Sequence, residues 1–173
     1  IGIYGIFSLT LLSYLINFFL PHTESINVVI LSVGLINFLV SIKKDLIRKN
    51  INLLLIVFTI LILFILTAKN HDDFSYYHFP YIHLLTEYPN MIGLGNFNHG
   101  FRTHSSIFYL TTLFNLPFSN FYLFNLSPVF FMGFANIILY KRISSYLDQT
   151  KTTYLLYLSL FSLLFCICFD FVL

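Results

Sequence analysis

Apolar and polar residues do not alternate along this chain; they are gathered into blocks. Long apolar runs cover Ile1–Leu20, Ile26–Ile42, Ile51–Ala68 and Thr153–Leu173, with polar residues collected in the short stretches between them. A bilayer span needs about 20 apolar residues, within a range of roughly 17 to 25. By length and apolarity these runs read as spanning helices, which predicts an all-α, polytopic membrane protein. Charge supports the same expectation, since only 9% of residues are charged and 58% are hydrophobic, whereas a typical globular domain carries about 25% charged residues.

The distribution of charge predicts a topology. Pro21–Ser25 (PHTES) holds no Lys or Arg, while Lys43–Asn50 (KKDLIRKN) and Tyr140–Lys151 (YKRISSYLDQTK) are basic. The positive-inside rule places both basic loops in the cytoplasm, so the segment between them faces outward and one crossing must lie between it and Tyr140. Asn115-Leu116-Pro117 interrupts the helical pattern, because proline lacks a donor and disfavours helix in the preceding residue. Thr103–Leu116 therefore reads as a surface helix and Phe118–Tyr140 as the fourth span, kinked near Pro128. The expectation is about five transmembrane helices with two interfacial helices in an extracytoplasmic loop: residues 1–67 as three spans, 68–117 as the loop and candidate active-site module, and 118–173 as two more spans. It places the protein in the plasma membrane as a multi-pass protein with a cytoplasmic N-terminal end and a periplasmic loop. Ile1 in place of Met and an apolar C-terminal end read as a fragment, and no basic n-region or cleavage site marks a signal peptide.

Ala68–Ser105 is the exception in composition. It holds His71, His78, His83, His99 and His104, five of the six histidines, together with Asp72, Asp73 and Glu87. Projected at about 100° per residue, Phe74–Glu87 places Leu84, Tyr77, Tyr81, Phe74, Leu85 and Ile82 on one arc. Ser75, Thr86, His83, Tyr76 and Glu87 fall on the other. That pattern predicts an interfacial amphipathic helix, kinked or restarting at Pro80, with its tyrosines at the depth of an aromatic belt. His78 falls inside the apolar arc. Gly93 and Gly95 permit tight turns, but Gly-x-Gly without a preceding strand is no nucleotide motif.

Candidate chemistry follows from these residue types. An Asp just before Phe74 suits a helix cap, yet one cap does not need both Asp72 and Asp73. A carboxylate there reads as a general base or as a holder of an acceptor hydroxyl. Arg102 and Lys69 are the cations of the segment and candidates to bind a phosphate, Arg102 foremost because its planar fork grips two oxygens. The histidines lack zinc spacing, since His78 and His83 are separated by five positions and no His-Glu-x-x-His pattern occurs. His71 with Asp72 or Asp73 leaves open a water-exposed divalent-cation site. Cys166 and Cys168 fall about 200° apart on a helix and do not converge on a metal. A net charge of +2 gives no reason to expect nucleic acid.

The order of a span, an acidic pair, a surface helix, a loop, a second surface helix and a return span resembles the entry module of the GT-C superfamily of integral-membrane glycosyltransferases. More narrowly, Asp73 with Tyr77 and His78, then Gly93-Leu94-Gly95-Asn96, then Arg102, the Ser105-Ser106 pair and Phe108 resemble a group of bacterial GT-C-like multi-pass proteins. The resemblance covers about Asp72–Leu116. It implies a catalytic acid at Asp72 or Asp73 and a polyprenyl-phosphate sugar donor held by Arg102, with Lys69, Tyr77, His78, His83 and His104 around the substrate. The acceptor would be a cell-envelope glycan or lipid, and the other partners membrane lipids. The acidic loop follows the third span, where many GT-C enzymes place it after the first. An O-antigen ligase or polymerase-like enzyme working through Arg102 and His104 fits the same loop. A transporter or lipid-binding protein would need polar residues within the spans, for which Gly34 and Asn37 are the candidates.

Overall fold

A computed structural model describes residues 2–41, 44–66, 73–102, 105–147 and 154–172. Among them the chain is all-helical. Its helices are α1 (Gly2–Asn17), α2 (Glu24–Ser41), α3 (Lys44–Leu66), α4 (Phe79–Glu87), α5 (Ser106–Thr112), α6 (Leu126–Leu147) and α7 (Tyr154–Val172). A π-helical turn over Phe74–His78 runs directly into α4, and 3-10 turns cover Leu94–Asn96 and His99–Arg102. The helices group into two compact units: Ile1–Ile47 with Asn70–Pro128, and Arg48–Lys69 with Val129–Leu173.

The expectation of five spans is corrected here. No helix among the described residues is long and apolar enough to cross a membrane. The multi-pass plasma-membrane placement, the periplasmic side assigned to the loop and the transmembrane description fall with it. α1, for example, has 16 residues, about 24 Å of helix against about 30 Å of hydrocarbon. The segment Lys44–Asn50, expected as part of a basic loop, forms the first turns of α3. α6 likewise carries Lys141 and Arg142. Pro128 does not kink it, because the helix begins at Leu126 and proline in a first turn removes no helical hydrogen bond.

Both expected interfacial helices are corrected as well. The apolar arc of Phe74–Glu87 lies against the chain's own aromatics. Tyr81, Ile82 and Leu85 of α4 form a core with Leu94, Phe101, Phe108, Tyr109 and Phe124, and Tyr77, Phe79, Leu84, Ile107 and Phe114 pack around it. Thr86, on the polar arc of the projection, is also buried, its hydroxyl donating to the His83 carbonyl at 2.7 Å. The second helix shrinks to α5, and Phe108 to Thr112 along it are buried.

In the first unit α1 presents its polar residues inward. Thr10, Ser13 and Asn17 are buried, while Leu11, Leu12 and Leu15 beside them are exposed. Thr10 returns its hydroxyl to the Ile6 carbonyl. Ser13 and Asn17 reach other elements, where they add donors to the Tyr109 and Leu85 carbonyls near helix C-terminal ends. The Leu85 carbonyl of α4 accepts the His22 amide at 2.9 Å and Asn17 Nδ2 at 3.1 Å. Asn27 Nδ2 donates to the Thr112 and Asn115 carbonyls at and beyond the end of α5, at 2.7 and 3.0 Å, and to the His22 carbonyl at 3.1 Å. The Asn17 carbonyl accepts the Asn90 amide at 2.7 Å. In the second unit, Phe58 of α3 packs against Phe130 and Phe134 of α6.

Two outcomes test this arrangement. Asn27→Ala strips donors from buried carbonyls and is expected to cost about 2–3 kcal/mol in chemical denaturation; a loss within error of zero would show that the amide does not hold the unit. Burial pushes the His22 imidazole below its ordinary value of 6.5, partly offset by its bonds to the Ser13 carbonyl and Asn27. The unfolded chain therefore binds the proton more readily. Stability is complete above about pH 6.5 and falls as pH drops toward the native value, by at most about 1.4 kcal/mol per pH unit. In His22→Gln that contribution to the slope is expected to be missing.

Candidate functional site

Asp73 immediately precedes the π-helical turn with a right-handed helical backbone, and its side chain makes no capping hydrogen bond. The cap expected of an Asp at this position is thus not formed. The turn closes through the Phe79 amide on the Phe74 carbonyl. Such widened turns are rare and recur at functional sites. Its extra residue also lets Phe74–His78 continue into α4 past Pro80, whose missing N–H falls in the first turn of α4.

The turn packs against the glycine-rich segment. The Tyr77 side chain lies over Gly100, where a Cβ would stand 2.5 Å from the Tyr77 Cβ and Cγ. Asn98 bridges the same join: its Oδ1 accepts the Gly100 amide at 2.9 Å and its Nδ2 donates to the Tyr76 carbonyl at 3.4 Å. Upstream, Gly93 adopts a left-handed φ of 91° and opens the 3-10 turn Leu94–Asn96. Arg102 folds back over that turn. Its Nε donates to the Gly95 carbonyl at 3.1 Å, and its Cγ lies 2.9 Å from where a Gly95 Cβ would be. The side chain is exposed, so the guanidinium is held by one edge against the backbone at the protein surface.

The histidines separate into different environments. His78 is half-buried, its ring 4.3 Å from Tyr77 and 5.1 Å from Phe108 of α5. This resolves its place in the apolar arc, since it faces aromatic side chains of the same unit. His83 is exposed and lies parallel to Phe79 with centroids 6.1 Å apart, while Phe121 meets both rings edge-on. His99 is exposed in the 3-10 turn that ends at Arg102. Among the described residues no group of three or more His, Cys, Asp or Glu side chains could hold a metal ion. Lys69, His71, Asp72 and His104 lie outside the described residues, as do the side chains of Cys166 and Cys168.

The fold thus joins Tyr77, His78, the Gly93–Asn96 turn and Arg102 through adjoining contacts, and sets His83 with Phe79 and Phe121. Sequence reasoning missed the buried polar group of Ser13, Asn17, His22 and Asn27. The signal was present: Thr10, Ser13 and Asn17 recur at helical spacing in a mostly apolar run, which places them on one face. Ser13, His22 and Asn27 have the residue types of a nucleophile, base and orienting amide. All three are fully buried and the Ser13 hydroxyl donates to the Tyr109 carbonyl, so the group is tied into the framework and closed to substrate.

Over residues 1–173 the chain matches the family model described as a domain of unknown function, DUF8201. No curated protein and no solved structure matches it.

The two glycine contacts separate by what must move. Gly100→Ala drives a methyl into the base of the Tyr77 side chain and is expected to lower stability by about 1–3 kcal/mol. Gly95→Ala meets only the flexible stem of Arg102 and is expected to cost less in the same melting experiment. Equal effects would show that Tyr77 yields as easily as Arg102.

Proposed function

The chain belongs to the DUF8201 family, and on that footing we propose that the surface around Arg102 binds a phosphate-linked sugar and transfers the sugar to an acceptor hydroxyl. The observation that carries the reading is the posture of Arg102. Its Nε is spent on the Gly95 carbonyl while the side chain stays exposed, a posture that orients the outer edge of the guanidinium to grip two phosphate oxygens. The pattern of Asp73, Tyr77, His78, Gly93–Asn96 and Arg102 also supports it, because its central members pack on one another. The lipid carrier and the membrane setting expected from the sequence fall with the spans and are no part of this reading.

The chemistry is a displacement at the anomeric carbon. Asp73 takes the proton of the acceptor hydroxyl as the new carbon–oxygen bond forms, the bond from that carbon to the phosphate oxygen breaks, and the phosphate leaves with the electron pair against Arg102. Tyr77 and His78 line the approach. Asp72 adjoins Asp73 in sequence and is the other candidate for the proton.

Calorimetric titration with a hexose 1-phosphate tests the binding step. Arg102→Ala is expected to weaken it roughly 10- to 100-fold, the size of a charge-assisted hydrogen bond, and Arg102→Lys to recover only part. Asp73→Asn is expected to leave binding intact. Unchanged affinity in Arg102→Ala, or no binding by the unaltered protein, would overturn the reading.

A further inference from the structure

The hydrogen-bond inventory around His22 has a property that its burial alone does not supply. Asn27 Nδ2 donates to three main-chain carbonyls, which fixes the orientation of the amide and leaves Oδ1 facing His22 Nδ1 at 3.0 Å. Oδ1 only accepts, so Nδ1 carries a proton. On the other side of the ring, Nε2 lies 2.9 Å from the Ser13 hydroxyl and 3.0 Å from the Ser13 carbonyl; that carbonyl also only accepts, so its contact becomes a hydrogen bond only when Nε2 too carries a proton. The same hydroxyl also touches the Tyr109 carbonyl. Ser13 has one hydroxyl proton and two acceptors for it, Nε2 of a neutral imidazole and the carbonyl of α5.

We propose that His22 and Ser13 form a proton-operated switch between α1 and α5. With His22 neutral, Nε2 accepts the Ser13 proton and competes with the Tyr109 carbonyl for it. When His22 takes up a proton at Nε2, that nitrogen becomes a donor to the Ser13 carbonyl and hydroxyl oxygens. The Ser13 proton then passes wholly to the Tyr109 carbonyl. No covalent bond other than N–H changes, and the proton comes from solvent.

The surroundings make His22 the group that titrates. Ser13 faces it from α1, Asn27 from α2, the Leu85 carbonyl meets its amide from α4, and Tyr109 and Thr112 lie beyond Ser13 and Asn27 on α5. The titratable side chains on those elements include Tyr14 of α1, Tyr81 and the exposed His83 of α4, and Tyr109 of α5. Tyr81 and Tyr109 share a hydrogen bond of 3.1 Å, and burial raises both above the ordinary tyrosine value, so they stay neutral. Glu24 and Glu87 are exposed. α5 also carries Phe108, which packs on His78, so the bond to Tyr109 adjoins the surface around Tyr77.

Nuclear magnetic resonance of the whole chain, labelled at the His22 ring nitrogens and the Tyr109 carbonyl carbon, reads the switch. Above pH 7 Nδ1 is expected to resonate as the protonated nitrogen and Nε2 as the unprotonated one. On acidification the Tyr109 carbonyl shift is expected to move with the same midpoint as Nε2, and in Ser13→Ala it should stay flat while His22 still titrates. The unaltered protein suffices if that variant does not fold: a solvent deuterium isotope shift at the Tyr109 carbonyl should grow as His22 is protonated. An Nε2–H tautomer at high pH, a carbonyl shift that ignores the His22 titration, or a His22 that takes up no proton before unfolding would each overturn the proposal.

Discussion

Buried carbonyls at the ends of short helices, joined by donors from other elements, are the constraint on which the first unit depends. α5 spans only Ser106–Thr112 and α4 only Phe79–Glu87, so about half of their carbonyls lie in a last turn; amides of the residues that follow serve Leu84, Leu110, Thr111 and Thr112, the Thr112 hydroxyl serves Tyr109, and the Leu85 carbonyl takes its donors from outside α4. These ends are buried, where water cannot serve them at low cost. Asn17, His22 and Asn27 supply donors from α1, from the turn that follows it and from α2. Apolar side chains could not do this, which accounts for the polar stripe inside an apolar sequence.

The aromatic core rests on that framework. Once the ends of α4 and α5 are tied to α1, Tyr81, Phe108 and Tyr109 are brought together and Phe101 and Phe124 close over them. Edge-to-face and tilted ring pairs add modestly to area burial, about 0.5–1.5 kcal/mol each. The same packing sets the candidate surface, because the residues that follow α4 fold back through Gly93–Asn96 and His99–Arg102 to cover the π-helical turn. Arg102 is positioned by backbone, through the Gly95 carbonyl, and Tyr77 by the absence of a side chain at Gly100.

Several elements were legible before the structure. The helical character of Gly2–Asn17, Glu24–Ser41 and Tyr154–Val172 follows from uninterrupted apolar runs, and the restart near Pro80 follows from the ring of that residue. The amphipathic arc of Phe74–Glu87 also predicted which residues face away from solvent, with Thr86 as the exception. What covers that arc was not legible. Periodicity reports that a face is apolar, and an apolar face has the same pattern whether lipid or Phe101 and Phe108 lie against it. That ambiguity led from correct helices to spans and interfacial helices that the structure does not contain. Thr10, Ser13 and Asn17 offered the counter-signal, one face of polar residues along α1.

Composition and local pattern by themselves determined that the chain is helical and that its ionisable side chains concentrate between Lys69 and His104. These are properties of neighbouring residues, set by backbone sterics and the 3.6-residue period. Only the tertiary structure decided the pairing of Ser13 with His22 and Tyr109, of Asn27 with the end of α5, and of Tyr77 with Gly100. Asn27 and Thr112 are separated by 85 positions, and no local rule links residues so far apart. The Thr112 carbonyl already takes the nearby Asn115 amide, and only the folded chain brings the Asn27 side-chain amide within reach of it as well.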